Sequence, residues 1–359
     1  MVQKILVGMS GGVDSSAAAL ILMEDHDVAG CTMKLFDSDA IVEGGKTCCA
    51  LTDVEDARRV CHLLGIDHHV FNFTGEFHKE VMERFADGYA RGETPNPCID
   101  CNRFVKIPYL LRRADQLGFT HIAMGHYARI RFDEASGRHQ LLRGQDASKD
   151  QSYVLYAMTQ EELARTLLPL GDKTKAEIRA IAAKRGLVTA DKPDSQDICF
   201  VPDGDYAGFL TEKMGLSAVP GDIVDRSGQV LGRHTGAIRY TIGQRRGLGV
   251  SAPAPLYVTG KDMAQNTVTV GDSGALFTDR FTVREPNWIS IETLCDPIEV
   301  TVMTRYRDRE TVATLHPLAS GEVEVRLREP KRAVTPGQAA VFYQGDVVVG
   351  GGVIGTIDS

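Results

Sequence analysis

Apolar and polar positions alternate along this chain in two different rhythms. KILVGM (4–9) is a short, nearly unbroken apolar run, as in a buried strand, and SSAAALILME (15–24) follows as a helix. DVAGCTMKLF (27–36) predicts a second strand. After a glycine-rich loop, VEGGKTCCA, a helix is expected from about Thr52 to Leu64, with Val54, Ala57, Val60, Cys61 and Leu64 on one face. HHVFNF (68–73) alternates like a strand. GEFHKEVMERFADGYA is helical, with Phe77, Val81, Phe85 and Tyr89 at four-residue spacing. A further helix is expected from about Cys101 to Leu117 despite Pro108, and HIAMGHYA (121–128) as another strand. Strands and helices taking turns at this spacing predict an α/β domain: a Rossmann-like parallel sheet with helices on both faces, over 1–204.

The rhythm changes after about Asp203. GDIVDRSGQVLG reads as a hairpin with Ser-Gly in its turn, inside a mixed, glycine-rich, β-rich central domain over 205–275. From 276 to 359 only short strands are expected: FTVRE, PIEVTVMTRY, ETVATLHPL, EVEVRLRE, QAAVFYQ and VVVGGGVIG. Glycine, proline and acidic turns separate them, the pattern of a small C-terminal all-β barrel.

Composition fits this picture: 359 residues, 43% hydrophobic and 25% charged, suffice for two or three cores. No apolar run approaches the roughly 18–20 residues of a membrane helix. The opening MVQKILVGMSGG is unlike a signal peptide. The expectation is a cytoplasmic protein with no membrane partner, whose eight cysteines are reduced. The formal charge of −8 lacks the basic signature of a nucleic-acid binder, so such binding needs a local basic face.

Candidate chemistry begins at GMSGGVDSS (8–16), between the first strand and the first helix. Gly11 and Gly12 let the backbone approach an anion, helix-start amides point at it, and Ser10 and Ser15 add hydroxyls. No Gly-Lys-Ser/Thr follows and G-x-G-x-x-G is absent, which disfavours a Walker loop and dinucleotide binding. The loop resembles the pyrophosphate loop of the ATP pyrophosphatase superfamily, enzymes that cleave ATP between the α and β phosphates and attach AMP to a substrate oxygen. Asp14 is then a contact to Mg²⁺ or pyrophosphate, or simply an acid in the first helical turn.

TPNPCIDCN (94–102) places Cys98 and Cys101 three positions apart. Zinc needs four ligands, and no partner pair of similar spacing exists; Cys48 and Cys49 are adjacent. The Pro-Asn-Pro context differs from a thioredoxin-type redox pair, and two packed loop cysteines are the plain alternative. Cys199 ends a polar, turn-forming segment, KPDSQDICF (192–200), an unusual place for a thiol without chemistry. Cys31, Cys48, Cys49, Cys61 and Cys295 are read as structural.

GMSGGVDSS, TPNPCIDCN, MGHYAR (124–129), KDQSYVLY (149–156), DSQDICF, YTIGQRRGLG (240–249), TRYR (304–307) and TPGQAAVFY (335–343) occur in that order. Together they resemble the tRNA-specific 2-thiouridylase family, the tRNA-uridine 2-sulfurtransferases, over nearly the whole chain. The resemblance implies ATP-dependent 2-thiolation of uridine 34, the wobble base, in tRNAs for Lys, Glu and Gln. It implies adenylation of the uracil C2 oxygen, a persulfide on Cys199, Cys101 as the nucleophile that attacks the S–S bond, and a transient Cys101–Cys199 disulfide. Exchange needs Cys101 as thiolate, and the helix expected from Cys101 would put it at a helix N-terminus that favours the thiolate.

By the same matching, Gly8, Met9, Ser10, Gly11, Gly12, Val13, Asp14, Ser15, Met33 and Gly125 hold ATP, with Mg²⁺. Asn96, Pro97 and Cys98 meet the target base, with His126 nearby. Lys149, Asp150, Gln151, Arg305, Tyr306 and Gln338 meet the tRNA elsewhere. Partners implied are the tRNA anticodon loop and stem and a sulfur-donor protein, a cysteine desulfurase or relay carrier. Well-known members carry aspartate where this chain has Cys98, so the role of that position does not transfer. Cys98, Cys101 and Cys199 form a set that three-thiolate ligation of a [4Fe–4S] cluster would use, an arrangement proposed for related tRNA thiolases.

Two basic stretches answer the acidic net charge. Five arginines and no carboxylate lie between Arg226 and Gly260, and Arg103, Lys106, Arg112 and Arg113 lie between Cys101 and Ala114. Alternative readings are a superfamily enzyme that adenylates a small molecule, for which paired reactive cysteines have no use, and a non-enzymatic RNA-binding protein, for which the intact glycine loop has none.

Overall fold

The computed structural model describes residues 2–36, 51–190, 192, 198–201 and 203–358. Cys48, Cys49 and the Asp-Ser-Gln-Asp preceding Ile198 lie outside the described residues.

Five parallel strands build the first sheet: β1 (Lys4–Gly8), β2 (Asp27–Lys34), β3 (His68–Asn72), β4 (His121–Ala123) and, further along the chain, β7 (Thr166–Leu167), in the order β3-β2-β1-β4-β7. The pleat of β1 sends Ile5 and Val7 to one face and Leu6 to the other. The Ile5 face is covered by α1 (Val13–Leu22), α2 (Leu51–Leu64) and a later helix, Lys175–Lys184, called here the lysine helix. The Leu6 face is covered by Ile107, Leu110, Leu111 and Ala114 of what we call the cysteine helix. Chain order reverses between β2 and β4 about β1, which opens a crevice at the carboxyl ends of β1 and β4. The glycine loop leaves β1 there, and Met124–Tyr127 leaves β4 there.

The cysteine helix has three pieces: Pro97–Asp100, a π-helical stretch Cys101–Lys106, and Ile107–Leu117. The π stretch lies just ahead of Pro108, where an α-helix would require an N–H that proline lacks and would clash with the carbonyl four residues back. The helix therefore begins four residues earlier than the periodicity suggested. Asn96 is its N-cap, with Oδ1 accepting from the Cys98 amide at 3.1 Å, and Pro97 is its first residue. This corrects the placement of Cys101 at the helix N-terminus. Cys98 occupies the first turn, and Cys101 is one turn in, where the influence of the helix end has faded.

Two further strands, β5 (Ala128–Asp133) and β6 (Arg138–Arg143), form a hairpin that continuous reading of HIAMGHYA as one strand missed. The hairpin leaves the parallel sheet and joins the C-terminal one, through Leu142 opposite Val347.

The central segment carries β8 (Gly221–Val224) and β9 (Val230–His234), the expected hairpin, with β10 (Tyr257–Asp262) and β11 (Thr267–Gly271) in the order β10-β11-β8-β9. The C-terminal strands are β12 (Phe277–Trp288), β13 (Ile298–Met303), β14 (Thr311–Pro317), β15 (Val323–Arg332), β16 (Ala339–Gln344) and β17 (Val347–Asp358). They run antiparallel in the order β12-β15-β14-β13-β16-β17, and pairing of β12 with β17 closes them into a six-stranded barrel. Alternate residues, among them Phe281, Val283, Val300, Val302, Leu315, Val325 and Phe342, fill its core.

Candidate active site

The glycine loop is folded by its own hydroxyls. Ser15 Oγ accepts from the Ser10 amide at 3.0 Å, and Ser16 Oγ donates to the Gly12 carbonyl at 2.8 Å. Gly11 adopts φ +71°, and a Cβ there would lie 2.4 Å from the Asp53 carbonyl oxygen, so only glycine fits. No side chain caps the start of α1 at Gly12, which leaves a helix N-terminus facing the crevice, the geometry of an anion cradle. Met33, at the end of β2, lays its Cε 3.5 Å from where a Gly8 Cβ would stand. Gly125 is needed because a Cβ would lie 2.9 Å from Asp14 C and Ser15 N.

Two lysines that pattern reading did not single out converge on this loop. Lys175 Nζ lies 2.8 Å from both carboxylate oxygens of Asp14, and Tyr127 OH donates to Asp14 Oδ1 at 2.7 Å. Lys192 Nζ donates to the Gly11 carbonyl at 3.0 Å, to Asp53 Oδ1 at 2.5 Å and to Asp56 Oδ2 at 3.0 Å. Burial alone would lower the Lys192 pKa; the hydrogen bonds to Asp53 and Asp56 outweigh it and hold the ammonium above its ordinary value. Lys192 is the first residue of the KPDSQDICF motif that contains Cys199. A signal for Lys175 existed: Thr174 and Glu177 are a capping box, which announces a helix start beside the sheet.

Cys101 is buried and Cys199 half-buried, and both pack on one aromatic cluster, though they stand 98 positions apart in sequence. Phe200 anchors the second thiol, with its ring 5.7 Å from Phe77, 5.5 Å from Phe85 and 5.1 Å from Phe209. Met33, whose Cε approaches Gly8, is partly buried against the same cluster. Asn102 fixes the cysteine helix from behind, donating to the Val154 carbonyl of the KDQSYVLY motif at 3.2 Å.

Cys98 is exposed while Cys101 is buried. Among the described residues, which include all three of Cys98, Cys101 and Cys199, no three metal-ligating side chains come together. As placed here, the three thiols lend the [4Fe–4S] expectation no support. Cys31 and Cys61 are buried as expected of structural thiols; burial pushes Cys31 far up and Cys61 up to about 11. Cys295, also expected to be structural, is instead exposed.

A cleft of about 360 Å³ opens at the start of the cysteine helix, between the α/β domain and the barrel. Arg84, Arg103, Asp100, Asn96, Arg284 and Glu285 line it. The barrel holds its rim. Gln338 Nε2 donates to the Thr94 carbonyl at 2.6 Å, the Thr94 amide donates to the Pro336 carbonyl at 2.9 Å, and Arg284 pairs with Glu93. Arg103 reaches Glu285 at 3.5 Å.

The remaining expected tRNA residues fall into two groups. Asp150 and Gln151 are committed to the protein itself: Asp150 accepts from Arg143, from the Gly144 amide and from Ser152, and Gln151 exchanges hydrogen bonds with the Tyr127 backbone. Lys149 is half-buried beside them. Arg305 is exposed on a barrel loop next to Tyr306, whose ring stands 6.0 Å from that of Tyr153. His126 is partly covered, its Nδ1 buried with no partner among the described residues; burial, helped by Lys106, pushes its pKa down to about 3, so the ring is neutral.

Comparison with known proteins gives the family. Residues 3–203 match the family model described as tRNA methyl transferase HUP domain, 207–272 its PRC-barrel domain and 278–354 an aminomethyltransferase beta-barrel domain. The chain is 48% identical to the tRNA-specific 2-thiouridylase MnmA of Acetivibrio thermocellus over 357 residues, 98% of this chain and 99% of that one. It is 49% identical to the protein of the same name in Moorella thermoacetica, over 98% of this chain and 99% of that one. The likeness to the solved U34-tRNA thiolase NcsA from Methanococcus maripaludis is slight, with a TM-score of 0.35 and 18% identity over 59% of this chain and 66% of that one. With similarity of this degree over its whole length, the chain belongs to the tRNA-specific 2-thiouridylase family.

Proposed function

We propose that this protein replaces the C2 oxygen of uridine 34 in tRNAs for Lys, Glu and Gln by sulfur, at the expense of ATP. The observation that supports the reading is that Cys101 and Cys199, far apart in sequence, pack on one hydrophobic cluster. The full-length relatives are named for thiolation; two of the family descriptions mention methyl transfer, which would leave the paired thiols without a task.

Uracil O2 is a poor leaving group. In the proposed reaction it attacks the α-phosphorus, pyrophosphate departs, and the new C2–O–AMP ester makes C2 electrophilic. The helix start at Gly12–Ser15 would bind the phosphates, and Asp14 is the carboxylate suited to Mg²⁺, which would neutralise charge on the departing pyrophosphate. A sulfur-donor protein carrying a persulfide loads Cys199 as Cys199–S–SH. The Cys101 thiolate attacks Sγ of Cys199, the terminal sulfur leaves with the bonding pair and adds to C2, and AMP departs with the oxygen. The products are 2-thiouridine and a Cys101–Cys199 disulfide, which an external thiol reduces. Asn96, Pro97 and Cys98 would face the target base, flipped out of a single-stranded loop, with His126 as a neutral hydrogen-bonding ring.

The test is single-turnover thiolation of transcribed tRNA with ATP and persulfide-loaded protein, read as 2-thiouridine by mass spectrometry. The wild type should form it, and Cys101→Ser and Cys199→Ser should fall to background. Thiolation surviving either substitution would refute the scheme.

A further inference from the structure

We propose that Lys175 is a phosphate-binding residue of the adenylation step, held by Asp14 until nucleotide arrives and then transferred to the departing pyrophosphate. This rests on the reading that the glycine loop binds ATP, and it assigns that site a cation that lies outside the loop.

The lysine is held for such a task. It is the first residue of the lysine helix, and the start of that helix is fixed twice: Thr174 Oγ1 accepts from the Glu177 amide at 3.3 Å, and the Thr174 amide donates to Glu177 Oε2 at 2.7 Å. The backbone amide of Lys175 itself donates to Asp146 Oδ2 at 3.0 Å. With its backbone anchored, the side chain crosses to the first turn of α1, its surface only 12% exposed, and meets both oxygens of Asp14 at 2.8 Å.

Stability gives little reason for this pair. Removing an ammonium from water costs several kcal/mol, and an ion pair recovers that only in part. Asp14 also has other support: the positive end of α1 and the Tyr127 hydroxyl at 2.7 Å. Placed against an anion cradle, the pair makes sense as an exchange. A triphosphate brings several negative charges to the helix start, and Asp14 would be drawn toward a divalent ion bound with it. The ammonium, a point charge on a flexible stem with three donors, then turns to the phosphates. Tyr127 stays on Asp14 and keeps the carboxylate in place. Lys192 is unsuited to this role, because its ammonium already serves Gly11, Asp53 and Asp56.

Binding measured without tRNA tests the proposal separately from thiolation, whose failure would leave this result standing. Titration calorimetry would use Mg²⁺ with α,β-methylene-ATP, inorganic pyrophosphate and adenosine as probes. Lys175→Ala should bind the analogue and pyrophosphate at least tenfold more weakly and adenosine as the wild type does, and Lys175→Arg should recover most of the loss. Asp14→Asn, which removes the carboxylate charge holding the ammonium, should bind pyrophosphate several-fold more tightly than the wild type when Mg²⁺ is absent. Unchanged analogue binding by Lys175→Ala, or equal losses for adenosine and the analogue, would overturn phosphate binding. Unchanged or weaker pyrophosphate binding by Asp14→Asn would overturn the exchange.

Discussion

Asp100 stands immediately before Cys101, its side chain mostly covered by the wall of the cleft. Burial pushes its carboxyl up to about 6, with Glu285 and Glu80 adding to the rise and the guanidinium groups of Arg84 and Arg103 opposing it. An unfolded chain would ionise it near 3.8. A folded-state value above the unfolded one means the stability this group contributes is full below about pH 4 and is lost as pH rises through 6. Between pH 4 and 7 the wild type should therefore lose about 2–3 kcal/mol that Asp100→Asn does not lose. Urea unfolding across that range would show it, and identical pH slopes for the two proteins would rule the burial effect out. At this scale the sequence pattern singled out the SGG loop, Cys101 and Cys199 as candidates for chemistry. It marked only the helix start at Lys175 and did not tie Lys175 or Lys192 to the loop, because their partners Asp14 and Asp53 are 161 and 139 positions away.

At the scale of elements, the loop that begins the cysteine helix is held from outside its own domain. Gly337 has φ +87°, and a Cβ there would come 2.7 Å from Glu93 Cβ and 2.9 Å from the Thr94 amide nitrogen. The barrel thus touches the cysteine loop at a point where only glycine fits, and Gln338 secures it. Gly337→Ala should cost about 1–3 kcal/mol in stability. It should also slow thiolation about tenfold or more, since displacements near 1 Å have effects of that order. Affinity for α,β-methylene-ATP should not change, because the glycine loop lies elsewhere, and a parallel loss of nucleotide binding would contradict the clamp. Local pattern was enough to find every barrel strand, since alternation and turn residues mark each one. It was not enough for the start of the cysteine helix, where Asn-Pro, a cap followed by a first-turn proline, outweighs the apolar periodicity. Nor could it reveal that the hairpin of β5 and β6 extends the barrel sheet, because that pairing joins Leu142 to Val347.

Over the whole molecule, a net charge of −8 coexists with locally basic stretches. Arg226, Arg233, Arg239, Arg245 and Arg246 are all exposed on the central segment. Arg103 and Arg112 lie over the rings of Phe104 and Tyr109 along the cysteine helix, at 4.9 and 4.8 Å. If these arginines carry the tRNA, binding releases counterions and affinity should fall steeply with salt. Reversing Arg245 and Arg246 to glutamate should weaken tRNA binding at least tenfold and flatten its salt dependence by about two phosphate contacts, with nucleotide affinity unchanged. An unaltered salt slope, measured by filter binding, would move the tRNA to another face.

The central claim is that Cys101 attacks the Cys199 persulfide and releases its outer sulfur to the uridine during turnover. Peptide mass mapping tests it most directly, on persulfide-loaded protein quenched under non-reducing conditions after one turnover with ATP and tRNA. A Cys101–Cys199 disulfide should appear in step with 2-thiouridine and be absent when ATP is omitted. Full thiolation with both cysteines recovered as separate thiols would contradict the account.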